Sequence, residues 1–313
     1  MTSGAHHNVR MSDIKPGRVE ICDVGPRDGL QNEARSLAPE VRAELCDRLA
    51  GAGLTRIEAV SFVNPKRVPQ MAGAEEVVAG VRHTGGVVLA GLVLNERGYE
   101  RALATGLREV HYAFPVTDTF AERNQGVTVA EAIAAGGRIV ERARADGLRV
   151  TITLGASFGC PFEGRVPTGT VLAAAETVHG FGPDEILLAD TIGAGVPTQV
   201  TELVGGVSAL GAKVGCHFHN TRNTGYANAL AAVEAGVTLL DASIGGTGGC
   251  PFAPRATGNI ATEDLVYMLL GMGIETGIEL AALLETAEWL AAQLGKDLPG
   301  LTYKAGDFPA VAA

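Results

Sequence analysis

Eight short runs rich in β-branched and apolar residues recur along the chain at even spacing, and this repeat constrains the fold more than any other feature. They are Val19–Val24, Arg56–Val60, Val87–Leu94, Glu109–Phe114, Arg149–Leu154, Glu185–Ala189, Lys213–His219 and Val237–Ile244. Their starts run from residue 19 to residue 237 in seven intervals that average about 31 residues, the length of one βα unit. The stretches between them have helical periodicity: Val41, Leu45 and Leu49 recur every four residues, and Val200, Leu203, Val207 and Leu210 every three or four. Eight such units without a break in composition predict an α/β chain folded as a single (β/α)8 TIM barrel, with a doubly wound α/β sheet as the alternative. After the eighth run, Thr262 reads as an N-cap followed by Glu263 and Asp264, and another helix is expected over Glu279–Leu294. These additional C-terminal helices would pack on the barrel. The barrel domain is expected over residues 17–302, between a weakly ordered N-terminus at 1–16 and a tail at 303–313.

Composition narrows the function. Hydrophobic residues make up 46% of the 313 and charged residues 19%, the balance of a folded globular protein. With 25 Lys+Arg against 35 Asp+Glu, the net charge of −10 provides no basic surface for a nucleic-acid backbone, so small-molecule chemistry is expected and a nucleic-acid partner is not. No apolar run reaches the roughly 18 residues of a membrane span. Residues 1–16 lack the apolar block of a signal peptide, so a cytoplasmic protein without a membrane partner is expected. Five cysteines (Cys22, Cys46, Cys160, Cys216 and Cys250), an odd number with no CxxC pair, suggest neither a disulfide framework nor a zinc knuckle, which fits a reducing compartment.

In such a barrel the active site is built at the carboxyl ends of the strands. Several polar residues fall there: Arg27 and Asp28 after the first run, Glu58 on the second, Asp190 after the sixth, His217 and His219 on the seventh, and a glycine-rich loop with Cys250 followed by Asn259 after the eighth. Positions i and i+2 of a strand share a face, so His217 and His219 can address one ion, although an isolated HxH also reads as a polar strand end. Asp28 could add an anionic ligand and Asn259 a neutral oxygen, a set suited to a hydrated divalent cation bound with a chelating substrate. Arg27, always charged, could stabilise an oxyanion beside that ion or form a structural salt bridge with Glu58 or Asp190. Glu58 and Asp190 could orient water or move a proton, or be paired charges of the barrel interior. Cys250 could act as a general acid or base from its glycine-rich loop or be a small apolar plug. Core packing is expected for Cys22 and Cys46, and a place in a wall for Cys160 and Cys216.

A rival pattern exists. Gly155-Ala156-Ser157-Phe158-Gly159 matches G-x-S-x-G after a β-like run, with Asp190 and His217 or His219 following in hydrolase order, so Ser157 is a candidate hydrolase nucleophile. Against it, the segment continues as Cys160-Pro161-Phe162-Glu163-Gly164, a turn-rich stretch where a nucleophile elbow should open into a helix. A noncatalytic ligand-binding barrel is a third reading.

Longer motifs discriminate among these. Gly25–Glu33, Ser61–Lys66, Val68–Met71, Gly159–Gly164, Asp190–Gly193, Gly248–Phe252, Gly258-Asn259 and Ala261–Leu269 together resemble the 3-hydroxy-3-methylglutaryl-CoA lyase family, in family order. The resemblance implies a metal-dependent TIM-barrel lyase that splits an acyl-CoA of the 3-hydroxy-3-methylglutaryl type into acetyl-CoA and a 3-oxoacid, acetoacetate in the parent reaction. It implies Asp28, His217, His219 and Asn259 as ligands of Mg²⁺ or Mn²⁺, Arg27 as the group that neutralises the enolate, Cys250 as the catalytic loop cysteine, and Glu58 and Asp190 as active-site acids. A homo-oligomer, most simply a dimer, is expected.

The departures from the family pattern touch the substrate. The parent reads His-x-His-Asp-Thr where this chain has His217-Phe218-His219-Asn220-Thr221-Arg222, so an acid is lost and a cation gained. Thr153 aligns with a family tyrosine, and Thr247 replaces a leucine of the glycine loop. Gln31, Thr153 and Arg222 are therefore the expected substrate-binding residues. The acyl substituent is open, as is a related Claisen-type condensation.

Overall fold

The structure is a computed structural model that describes residues 16–83, 85–249 and 258–308. Eight strands form: β1 (Glu20–Asp23), β2 (Arg56–Ser61), β3 (Val88–Val93), β4 (Glu109–Pro115), β5 (Arg149–Gly155), β6 (Glu185–Asp190), β7 (Val214–Phe218) and β8 (Leu239–Ala242). All pair in parallel in chain order, and β1 closes on β8 with Glu20 opposite Leu239 and Asp23 opposite Ala242. Closure establishes the expected TIM barrel and removes the doubly wound alternative.

The helices between strands start and stop where local chemistry directs. The longest, Val129–Asp146, opens with a capping box: Glu131 N donates to Thr128 Oγ1 at 3.2 Å, and Thr128 N donates to Glu131 Oε2 at 2.8 Å. It buries Ala132, Gly136, Ile139, Val140 and Ala143, a single face turned toward β4 and β5. At the C-terminus, helices Thr262–Gly271 and Leu280–Leu294 form as the sequence predicts, with one correction. Thr262 is the first helical residue and not the cap, a place taken by Ala261, because its hydroxyl is drawn to Asp23 Oδ2 at 2.6 Å. The first residues of the expected weakly ordered tail are also helical: Thr302–Ala305 form a final turn, and Leu298 N donates to Tyr303 Oη at 2.9 Å.

The apolar residues form two separate cores. The larger lies between the outer faces of the strands (Ile57, Val110, Ile152, Ile186) and the helices that cover them (Leu45, Leu49, Ile139, Leu203). The smaller lies on the inward-facing positions and consists of Cys22, Val24, Leu187 and Leu239. Gly215 on β7 makes room for it, since a Cβ there would lie 2.9 Å from Leu187 Cδ1 and 3.0 Å from Leu239 Cδ2. Much of the rest of the barrel interior is polar. At its floor Arg56 bonds Glu109 Oε1 through Nε at 2.9 Å, Glu185 Oε2 at 2.6 Å and Thr151 Oγ1 at 2.9 Å, all buried.

Candidate active site at the barrel mouth

Local backbone structure brings the expected residues together. Gly25 N donates to Asp23 Oδ1 at 2.8 Å and opens a wide helical turn, Gly25–Gly29, which carries Arg27 and Asp28. His217 lies on β7 with His219 just beyond its end, the ring centroids 5.2 Å apart, and His219 forms an isolated antiparallel bridge with Asn259. One ligand atom each from Asp28, His217 and His219 lies within 4.8 Å of the other two. Asn259 Nδ2 donates to Asp28 Oδ2 at 2.8 Å and to Thr247 O at 3.0 Å. The glycine loop permits this: Gly248 has φ +107°, and a Cβ there would lie 2.6 Å from Asn259 Nδ2.

The donor set fits a divalent cation. Asn259 Oδ1 and His219 Nδ1 are buried polar atoms without a hydrogen-bond partner, an unfavourable state that calls for a ligand or ion. His219 is held largely neutral, its pKa pushed down to about 4 by burial and by neighbouring His217. Burial opposes ionisation of Asp28, but Arg27, His217 and His219 prevail and hold its carboxyl at about 2. His217 is oriented by Asp241, whose Oδ2 lies 3.1 Å from Nδ1, which leaves Nε2 for another partner. Burial works against protonation of His217, yet the bond to Asp241 raises its pKa.

Arg27 is fixed on both sides. Its Nε donates to Glu58 Oε2 and its Nη1 to Asp28 Oδ1 at 2.7 Å. Glu58 in turn accepts from His111, Nδ1 to Oε1 at 2.9 Å. Desolvation of Glu58 is overcome by Arg27 and His111, which lower its pKa and keep it charged. The salt bridge of Arg27 with Glu58, one of its two expected roles, is present.

Arg27, Asp28, Glu58, His217 and His219 line a mouth cavity of about 1210 Å³, together with Gln31 and Thr153. Asp190 and Arg222 do not line it. Asp190 accepts from Ala194 N at 2.8 Å and Gly195 N at 2.9 Å, and Arg222 Nη1 donates to Ile192 O at 2.9 Å and Gly193 O at 2.8 Å. Both shape the loop after β6: Asp190, expected as an active-site acid, is held by these two amides, and Arg222, expected to bind substrate, is turned to the two loop carbonyls. Cys250 lies outside the described residues. Ser157 is buried, its hydroxyl donates to Leu154 O at 2.7 Å, and the chain beyond it forms an antiparallel bridge, Cys160 to Gly164, where a helix would be needed. The serine-hydrolase arrangement is therefore absent. Cys22, Cys46, Cys160 and Cys216 are all buried and free.

Sequence reasoning missed Asp241 and His111. The available signal was parity: Asp241 shares the inward face of β8 with Leu239 and stands in register with His217, and His111 alternates with Glu109 on β4.

A family model described as HMGL-like matches residues 18–290. The chain belongs to this family. Among its curated relatives, (R)-citramalyl-CoA lyase of Chloroflexus aurantiacus is 48% identical over 300 residues, covering 92% of this chain and 95% of that protein. A hydroxymethylglutaryl-CoA lyase of Bacillus subtilis is 40% identical over 286 residues, covering 91% and 96%. The structure of an HMG-CoA lyase from Acinetobacter baumannii, in complex with coenzyme A and 3-methylmalate, superposes with a TM-score of 0.90 at 38% identity, covering 95% of this chain and 98% of that one. As a member of the HMGL-like family with relatives of these activities, the chain is a carbon–carbon lyase. Among the described residues no helix is long and apolar enough to cross a membrane.

Proposed function

We propose that this HMGL-like protein is a divalent-metal-dependent lyase that cleaves the C2–C3 bond of a 3-hydroxy-3-methyl acyl-CoA carrying a terminal carboxylate. The observation that carries the reading is the convergence of Asp28, His217 and His219, with the unpartnered Oδ1 of Asn259 beside them, at the rim of one cavity. Mg²⁺ or Mn²⁺ held by these four residues would supply Lewis acidity that lowers the cost of deprotonating the C3 hydroxyl.

The proton lost from the C3 hydroxyl passes to solvent water, and the protein's own groups act on the remaining steps. As the C2–C3 bond breaks, C3 becomes a carbonyl and the electron pair moves through C2 to the thioester oxygen. Arg27, fixed by Glu58 and Asp28, is the cation aimed at that developing charge, and it stabilises the enolate more than the ground-state carbonyl. The enolate then takes a proton at C2 to give acetyl-CoA, a role assigned to Cys250 in the glycine loop. Gln31 and Thr153 line the space for the acyl chain.

Two substrates fit this chemistry and differ by one methylene: 3-hydroxy-3-methylglutaryl-CoA, which yields acetoacetate, and citramalyl-CoA, which yields pyruvate. The 48% identity to a citramalyl-CoA lyase, against 40% to a hydroxymethylglutaryl-CoA lyase, favours the second. Thr153, half-buried in the cavity wall, is one position at which this chain departs from the glutaryl-type pattern. The test is to incubate each thioester with the protein after EDTA treatment and after Mg²⁺ or Mn²⁺ is restored, with both products detected by mass. Cleavage should vanish and return. Cleavage indifferent to chelation would reject the metal assignment, and no cleavage of either thioester would reject the lyase.

A further inference from the structure

The mouth and floor of the barrel are joined by an unbroken line of ionic contacts. From Asp28 it passes to Arg27, to Glu58, to His111, to Glu109 and to Arg56. His111 is the only member that touches both ends. Its Nδ1 meets Glu58 Oε1 and its Nε2 meets Glu109 Oε1, each at 2.9 Å, and its side chain is 4% exposed. With a carboxylate on each ring nitrogen, both must carry a proton, so the ring is an imidazolium. Burial opposes that charge, but the two glutamates raise its pKa to about 9. Both nitrogens are occupied, so His111 offers substrate no free donor although it lines the cavity. Ala90, in register with Glu58 on one side and Glu109 on the other, keeps the wall small at this level.

We infer that His111 is a positioning residue for Arg27, fixing the Glu58 carboxylate against the rigid floor so that Glu58 can fix the guanidinium. Glu58 has one oxygen on each partner. Removing His111 leaves Oε1 buried without a partner and frees the carboxylate to rotate, and the direction of Arg27 Nε–H is lost with it. A displacement of this kind costs turnover more than binding, because the interaction with the thioester oxygen is strongest in the transition state. The inference rests on the proposed role of Arg27 in the lyase reaction, and its test is separable from that reading.

His111→Phe keeps a planar ring, a larger one, and removes both bonds, whereas His111→Gln keeps one donor for Glu58. In His111→Phe, kcat should fall roughly 10- to 100-fold with KM within about threefold and metal content unchanged, and His111→Gln should recover part of the loss. Glu58→Gln combined with His111→Phe should cost little more than either alone, because both act through one contact. Independently of activity, the Arg27 Nε–H resonance, assigned by its loss in Arg27→Lys, should shift or exchange faster with water in His111→Phe. Should His111→Phe fail to fold, His111→Gln provides the same readouts with smaller amplitude. An unchanged Arg27 resonance, additive losses, or a loss carried by KM would overturn the inference. A wild-type protein that cleaves neither thioester while its Arg27 signal still depends on His111 would sink the lyase reading and leave the coupling intact.

Discussion

The floor and the mouth of the barrel are both polar clusters at the two ends of the barrel interior, yet they are completed in opposite ways. At the floor, Arg56, Arg149 and Lys213 face Glu109 and Glu185, and even the atoms without a hydrogen bond, Arg56 Nη1 and Glu109 Oε2, lie 3.8 Å from Glu20 and 3.7 Å from Arg149. At the mouth, His219 Nδ1, Asn259 Oδ1 and Asp241 Oδ1 lack a hydrogen-bond partner around the carboxylate of Asp28. The floor satisfies its charges from within the chain, and the mouth is built to be satisfied from outside. Buried charge alone does not mark a site, whereas buried polar atoms that converge and are left without partners do.

Breaking the mouth should have the largest effect on activity. Arg27→Gln is expected to lower kcat by about 10²- to 10³-fold, with a smaller loss of stability than at the floor because His111 still holds Glu58, measured by steady-state kinetics and calorimetry. His219→Ala should lower activity and bound metal together, and a variant that kept its metal would count against the ligand assignment. Breaking the floor should reverse the pattern. Arg56→Met leaves Glu109 and Glu185 without their shared partner, and the loss of about 3–5 kcal/mol of stability should be visible in urea unfolding while metal content per folded molecule is retained.

The joint between the regions should be legible in pH. The pKa of His111 rises from an ordinary value near 6.5 to about 9 on folding. Its stabilising contribution is therefore complete below about pH 6.5 and is lost as pH climbs through about 9. Asp23, raised to about 7, and Glu263, raised to about 8, are carboxyls destabilised by burial, so they too withdraw stability as pH rises. Unfolding free energy should decline across this window, and His111→Gln should reduce the slope without abolishing it. The smallest effect is expected at Arg222→Met, where two bonds to loop carbonyls are lost. About 1–2 kcal/mol of stability should go, with turnover close to wild type.

The barrel was legible because strand spacing and helical periodicity repeat eight times, and the mouth because Asp28, His217, His219 and Asn259 all lie at or beyond the carboxyl ends of strands. What the sequence hid is pairing across the interior. Asp190 and Arg222 stand at strand ends like the true lining residues, but backbone groups of the β6 loop claim them first, a competition settled by turn geometry and not by residue type. Asp241 and His111 lie within strands, where an apolar run draws attention to its hydrophobic members, and their partners are 24 and 53 residues away in sequence. Ser157 shows the opposite error: a motif with the right letters whose hydroxyl is already committed to Leu154.

The central claim is that two imidazoles, one carboxylate and one amide oxygen share a single cation. Pulsed EPR of the protein loaded with Mn²⁺ tests it most directly, because nitrogen couplings report each coordinated histidine. One tightly bound Mn²⁺ per chain coupled to two histidine nitrogens, one of them lost in His219→Ala, is the predicted spectrum; bound Mn²⁺ with no histidine nitrogen coupling would contradict the account.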